Sequence, residues 1–168
     1  VLRARGADRH LEIFFSQMGD AAAVSSPREF ASLVAGVPGV PANHALTLFI
    51  GGRDDPDTFL EAEEMNFQWQ WELLSRSWDA WPVDLTAVYS VYLDSLNHRY
   101  RNVVEGLADV SEAERRRVTE AYDRGYVIAD AFLGRLLEAC GESNTIVVVS
   151  DHGSVGYRKT IRPHDILE

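Results

Sequence analysis

A single cysteine, Cys140, stands in a chain of 168 residues. One thiol closes no internal disulfide and builds no multi-cysteine zinc site. Positive charge is also scarce, with 16 Lys and Arg against 26 Asp and Glu and a formal net charge of −10. So acidic a chain repels polyanions, which excludes a broad grip on nucleic-acid polymers or on an anionic membrane surface. A small anionic substrate bridged by metal stays compatible, because a bound cation outweighs the global charge locally. No apolar run is long enough to span a bilayer, and no signal-peptide pattern opens the chain. Internal repeats, low-complexity tracts, phosphate loops and dinucleotide fingerprints are all missing. The chain starts at Val1 and stops at Glu168 without a closing cap, so the expectation is a piece of a longer protein.

The composition that remains is that of a folded protein, with 46% hydrophobic and 25% charged residues. Its length suits one domain over residues 1–168 and is too short for two ordinary ones. Leu11 to Phe15 reads as a short strand. Ser26-Pro27 starts a helix carrying Phe30, Leu33 and Val34. Gly36 to Asn43 is a loop, and Ala45 to Ile50 a buried strand stopped by Gly51-Gly52. A helix is predicted from about Pro56 to Trp78, with Asp55 as cap, Phe59, Leu60, Phe67, Trp71, Leu74 and Trp78 along it, and Pro82 forbidding its continuation. Leu85 to Leu93, rich in Val, Thr and Tyr, reads as a strand. Ser111 and Glu114 form a capping box for a long helix that Gly141 ends. Thr145 to Val149 is a continuous apolar run, expected to be a strand covered on both faces. Strand, long helix and strand in that order make a crossover between parallel strands. The expected class is therefore α/β, a mostly parallel sheet with helices on both faces.

Two polar clusters follow the two expected strands directly: Asp94-Ser95-Leu96-Asn97-His98 and Ser150-Asp151-His152-Gly153. Parallel strands would deliver both to the carboxyl edge of the sheet, where open α/β folds place ligands. Carboxylate oxygen and neutral imidazole are zinc donors. An ion held by such groups can polarise a phosphoryl oxygen, activate water and stabilise a leaving oxygen. Asp151, if buried at the end of an apolar strand, would need such a partner. For either pair alone the everyday alternative is a helix cap beside a solvated histidine; two pairs at matched positions favour the metal.

The stretch Thr145 to Gly153, ending Ser-Asp-His-Gly, resembles the metal-binding strand end of the alkaline phosphatase superfamily, and more narrowly its type I phosphodiesterase/nucleotide pyrophosphatase branch. Tyr92 to His98 is similar to that branch's Asp-x-x-Gly-His element. Tyr126 to Leu137 fits the helix between the two motifs. The likeness is strongest over residues 81–153. It implies an alkaline-phosphatase-like fold, here incomplete, and two divalent metal ions, with zinc the expected metal. Asp94 and His98 would be ligands of one ion, and Asp151 and His152 of the other. It further implies in-line phosphoryl transfer on a small phosphate-ester or nucleotide substrate, by a Thr or Ser nucleophile at a helix start. Asn97 stands where the family has Gly, and is the candidate substrate contact through its amide. No counterpart of the nucleophile or of the first Asp ligand is read in residues 1–60, and the family's last His ligand would lie beyond residue 168. The chain by itself is therefore expected to be inactive.

Other features carry blander readings. His10 and His44 are given bland structural roles, and His164-Asp165 a loop or helix-cap role. Asp54, Asp55 and Asp57 make a solvated turn that lacks a calcium-loop pattern. Phe67, Trp69, Trp71, Trp78 and Trp81 are core aromatics more than a base-stacking platform. Arg115-Arg116-Arg117 is a solvated, paired face, and Cys140 is expected to be buried and inert. Two alternatives to the leading function stay open. One is another activity of the superfamily, as a phosphomonoesterase, phosphonate hydrolase, sulfatase-like enzyme or mutase. The other is a non-catalytic α/β binding domain with a degenerate metal site.

Overall fold

The computed structural model describes residues 2–5, 10–13, 28–37, 56–81 and 83–158. These fall into two compact units, Val1–Val91 and Tyr92–Glu168.

In the first unit, β1 (Leu2–Arg5) and β2 (His10–Ile13) form an antiparallel ribbon in which Leu2 faces Ile13 and Arg5 faces His10. Helix α1 (Arg28–Ala35) packs on α2 (Pro56–Ala80). Proline suits the first position of α2 because the N–H it lacks has no intrahelical acceptor there. Phe59, Leu60 and Phe67 of α2 are buried, as are Val34 and Val37 at the end of α1. Two contacts fasten the pair: Arg76 donates to the Gly36 carbonyl at 3.0 Å, and the Phe30 and Trp81 rings lie 5.6 Å apart. Trp71 meets Trp78 edge-on, and Trp78 Nε1 donates to Thr86 Oγ1 at 2.9 Å. These aromatic pairs are packing within the unit.

The second unit is built on α3 (Tyr92–Val104) and α4 (Glu112–Cys140). Tyr92, Leu96 and Tyr100 recur at helical spacing on α3 and are almost wholly buried. The chain leaves α3 through a Schellman turn: Gly106 N–H donates to the Val103 carbonyl at 3.1 Å and Leu107 N–H to that of Asn102 at 2.8 Å. Gly106 takes φ +71° there, a backbone region that residues with a Cβ seldom adopt. Ser111 then caps α4, its Oγ accepting the Glu114 N–H at 3.2 Å. At the other end Gly141 N–H donates to the Leu137 carbonyl, and Cys140 is half-buried. Helix α4 runs antiparallel to α3, since Arg115 reaches the Val103 carbonyl while Gly125 lies against Tyr92 and Leu96. A Cβ on Gly125 would stand 2.7 Å from Leu96 Cδ2 and 2.9 Å from the Tyr92 hydroxyl, so the missing side chain sets how closely the helices approach.

Among the described residues the mostly parallel α/β sheet with helices on both faces does not form: the regular structure is helical apart from the β1–β2 ribbon. Residues 85–91 lie in no strand, and the expected strand there gives way to α3 at Tyr92. Residues 145–149 pair with nothing in a ladder, and Val147, Val148 and Val149 are 75%, 69% and 84% exposed. Residue type favours extended backbone in both segments, but a strand needs a partner and burial on its faces, which are not local properties. The composition of Leu85–Leu93 also masked the Tyr92, Leu96, Tyr100 spacing that belongs to a helix. The expected strand at Ala45–Ile50, the loop beyond Val37, His44, the Asp55 cap and His164-Asp165 lie outside the described residues. Among those described, no helix is long and apolar enough to cross a membrane.

Candidate functional site

The two Asp/His couples lie in the second unit, but not at strand ends. Asp94 sits in the first turn of α3 and His98 one turn on, so the helix stacks the two side chains on one face. His98 Nε2 is 3.3 Å from Asp94 Oδ1, with the side chains 73% and 41% exposed. Asp151 and His152 lie in irregular, exposed chain after the 145–149 segment. His152 Nε2 is 3.7 Å from Asp151 Oδ2. The Ser150 hydroxyl donates to the His152 carbonyl at 2.7 Å and tightens the turn. Asp151 is 74% exposed, so the cost of burying a lone carboxylate, on which its expected need for a metal partly rested, does not arise.

The His152 imidazole holds its proton above the ordinary histidine range, first because its Nδ1 faces the Gly153 carbonyl at 3.0 Å, then because of the Asp151 carboxylate and, further, that of Asp94. The chain downstream of the motif is tied to the end of α3 and the turn after it. Tyr157 N–H donates to Asn102 Oδ1 at 2.7 Å, and Gly156 N–H donates to Glu105 Oε2 at 3.1 Å.

Asn97 has a different setting. It is 8% exposed and turned toward α4. Its amide nitrogen donates to the Leu93 carbonyl at 2.6 Å and to the Tyr126 hydroxyl at 3.2 Å. Its oxygen accepts from the Tyr122 hydroxyl at 2.7 Å and from Arg101 at 3.3 Å. An Asn side chain has two donors and two acceptor positions, and all are engaged within the unit. Burial pushes the Tyr122 phenol up to about 12, the Tyr126 hydroxyl 3.3 Å away adding to the effect while the Arg101 charge opposes it. This network was not read in the sequence. Its signal is the spacing of Tyr122 and Tyr126, one turn apart on the face of α4 that meets α3.

As metal donors the four residues fit in kind. Donors about 2.0–2.1 Å from a tetrahedral zinc are separated from one another by about 3.3 Å. The Asp94–His98 spacing of 3.3 Å matches this and the Asp151–His152 spacing of 3.7 Å is close to it. In number each couple supplies two. Among the described residues no group of three or more His, Cys, Asp or Glu is gathered to hold one ion.

A family model described as type I phosphodiesterase / nucleotide pyrophosphatase matches residues 33–168. No curated protein and no solved structure matches the chain.

Proposed function

The chain belongs to the type I phosphodiesterase / nucleotide pyrophosphatase family, whose members hydrolyse phosphate esters, and on that premise we propose a two-metal diesterase acting on a small nucleotide-like phosphoester. Asp94 and His98 hold one divalent ion, and Asp151 and His152 the other, with zinc the first choice. When bound, two such ions act as Lewis acids on phosphoryl oxygen and stabilise the attacking and leaving oxygens of an in-line displacement. The protein's own contribution is to hold the donors. Helix α3 sets Asp94 and His98 one turn apart, and the Ser150–His152 turn shapes the second couple. Asn97 serves through the helix interface, fixing the face that α3 presents, and not by touching substrate.

The match of residues 33–168 to the family carries the reading, and the donor types of Asp94, His98, Asp151 and His152 support it. Global acidity limits substrates to small ones, since a polymer's phosphates would be repelled.

Elemental analysis combined with a substrate panel tests the proposal in full-length protein. Two equivalents of transition metal are expected in the wild type, and about one, with loss of bis(p-nitrophenyl) phosphate hydrolysis, in Asp94→Ala and in Asp151→Ala. Either variant keeping both its metal and its activity refutes the ligand assignment. Preference for p-nitrophenyl phosphate or p-nitrophenyl sulfate over the diester would move the substrate to another branch of the superfamily. A metal-free, inactive wild type would leave a binding domain.

A further inference from the structure

Helix α3 presents two faces. Tyr92, Leu96 and Tyr100 are buried on one, and Asn97 at its edge is engaged with Tyr122 and Tyr126 of α4. Asp94, His98 and Arg101 follow one another at intervals of four and three, which puts them on one stripe of the other face. Arg99, the other arginine of α3, stands five residues from Asp94 and one from His98, and so falls off this stripe. Resting on the reading of Asp94 and His98 as ligands of a divalent ion, we propose that Arg101 is a substrate-binding residue, whose guanidinium donates to a non-bridging oxygen of the phosphoester held at that ion.

Three observations on Arg101 support this. First, its plane is held from two sides. Nε donates to Glu105 Oε1 at 2.5 Å, and Nη1 donates to Asn97 Oδ1 at 3.3 Å. Both acceptors are themselves fixed. Glu105 Oε2 accepts the Gly156 N–H at 3.1 Å, and the Asn97 amide is bonded to the Leu93 carbonyl and to the hydroxyls of Tyr122 and Tyr126. Second, donors remain. A guanidinium carries five N–H groups; the two bonds use two of them, and among the described residues nothing accepts from Nη2. Third, 31% of the side chain is exposed, so a ligand reaches it without parting α3 from α4.

Charge gives the reason for a cation at this place. The chain carries a net −10, and Asp94 and Glu105 put carboxylates before and after Arg101 on the same stripe. Such a surface repels an anionic phosphoester unless local positive charge offsets it. An ion at Asp94 and His98 supplies part of that charge. Arg101, one helical turn beyond His98, supplies more as directed donors. A lysine would bring three donors on a flexible stem in place of five on a rigid plane, so it could not keep both holding bonds and offer the same donors to phosphate. The Glu105 pair orients the guanidinium through Nε and leaves the Nη2 edge open.

The test compares full-length wild type with Arg101→Ala and Arg101→Lys after zinc loading. Elemental analysis reads zinc content, titration calorimetry reads the binding of inorganic phosphate, and the melting temperature reads folding. Arg101→Ala should keep the wild-type zinc content while its phosphate dissociation constant rises about 10–100-fold, the usual weight of a hydrogen bond to a charged group. KM for bis(p-nitrophenyl) phosphate should rise with it. Arg101→Lys, which keeps the charge without the planar fork, should show a smaller loss of the same kind, and it carries the test if the alanine variant does not fold. Phosphate binding at wild-type strength in folded, zinc-loaded Arg101→Ala, or in Arg101→Lys where it stands in, overturns the proposal. Loss of zinc together with phosphate makes Arg101 a support of the Asp94–His98 couple and overturns direct contact. A wild type that takes up no zinc refutes the two-ion reading on which the proposal rests, a failure recognisable before any variant is compared.

Discussion

Two glycines on α4 should respond to the same substitution with opposite sign. A Cβ on Gly125 would stand 2.7 and 2.9 Å from the two Leu96 methyls and 2.9 Å from the Tyr92 hydroxyl, whereas one on Gly134 meets nothing within 4 Å. Leu96 and Tyr92 are 0% and 2% exposed, so neither has room to swing aside. Replacing Gly by Ala inside a helix gains about 0.8–1.0 kcal/mol of propensity. That gain is common to both sites and cancels in the comparison. What remains at Gly125 is overfilling of a packed interface, about 1–3 kcal/mol. Gly134→Ala should therefore stabilise by about 1 kcal/mol, while Gly125→Ala ranges from neutral to about 2 kcal/mol destabilising. At about 2–4 °C per kcal/mol for a chain of this size, the melting temperatures of the two variants should differ by about 2–12 °C. Circular dichroism on heating reads the difference, with urea unfolding as a check that each variant unfolds in one cooperative step. Combining Gly125→Ala with Leu96→Ala should be less harmful than the sum of the two, because the new methyl occupies space the leucine vacates. Equal melting temperatures for Gly125→Ala and Gly134→Ala would show that α3 and α4 do not meet at Gly125.

Two further outcomes follow from the same unit. Tyr122 is raised to about 12 in the folded protein, above the ordinary tyrosine value of about 10. Its protonated form is therefore favoured by folding, so its contribution is complete below about pH 10 and is lost as pH rises toward 12. A tyrosinate absorbance titration of wild type minus Tyr122→Phe should show this late phenol, and a difference curve centred near 10 would contradict its burial beside Tyr126. Ser111→Ala removes the acceptor of the Glu114 N–H and should destabilise by about 1 kcal/mol, with Ser111→Asp restoring most of it; chemical denaturation measures both, and no loss in the alanine variant would mean that the cap contributes nothing.

The long helices could be read from residues alone, because what makes them is local. Ser111 with Glu114, Gly141 at the far end, Pro56 at the start of α2 and apolar residues at three-to-four spacing all act within a turn or two of chain. The family was legible in the same way, from the motifs around Asp94, His98, Asp151 and His152. Strands were legible only in part, the expected run Leu11–Phe15 coinciding with β2 over Leu11–Ile13. Leu85–Leu93 and Thr145–Val149 have the composition of strands, yet pairing depends on a distant partner, and among the described residues neither segment has one. Only the tertiary structure decided that Asp94 and His98 share a helix face, that four partners from α3 and α4 engage the Asn97 amide, and that Gly156 and Tyr157 are held by Glu105 and Asn102. The physical reason is the same in each case: a helix is closed by bonds between near neighbours, whereas these contacts join residues far apart in sequence that only folding brings together.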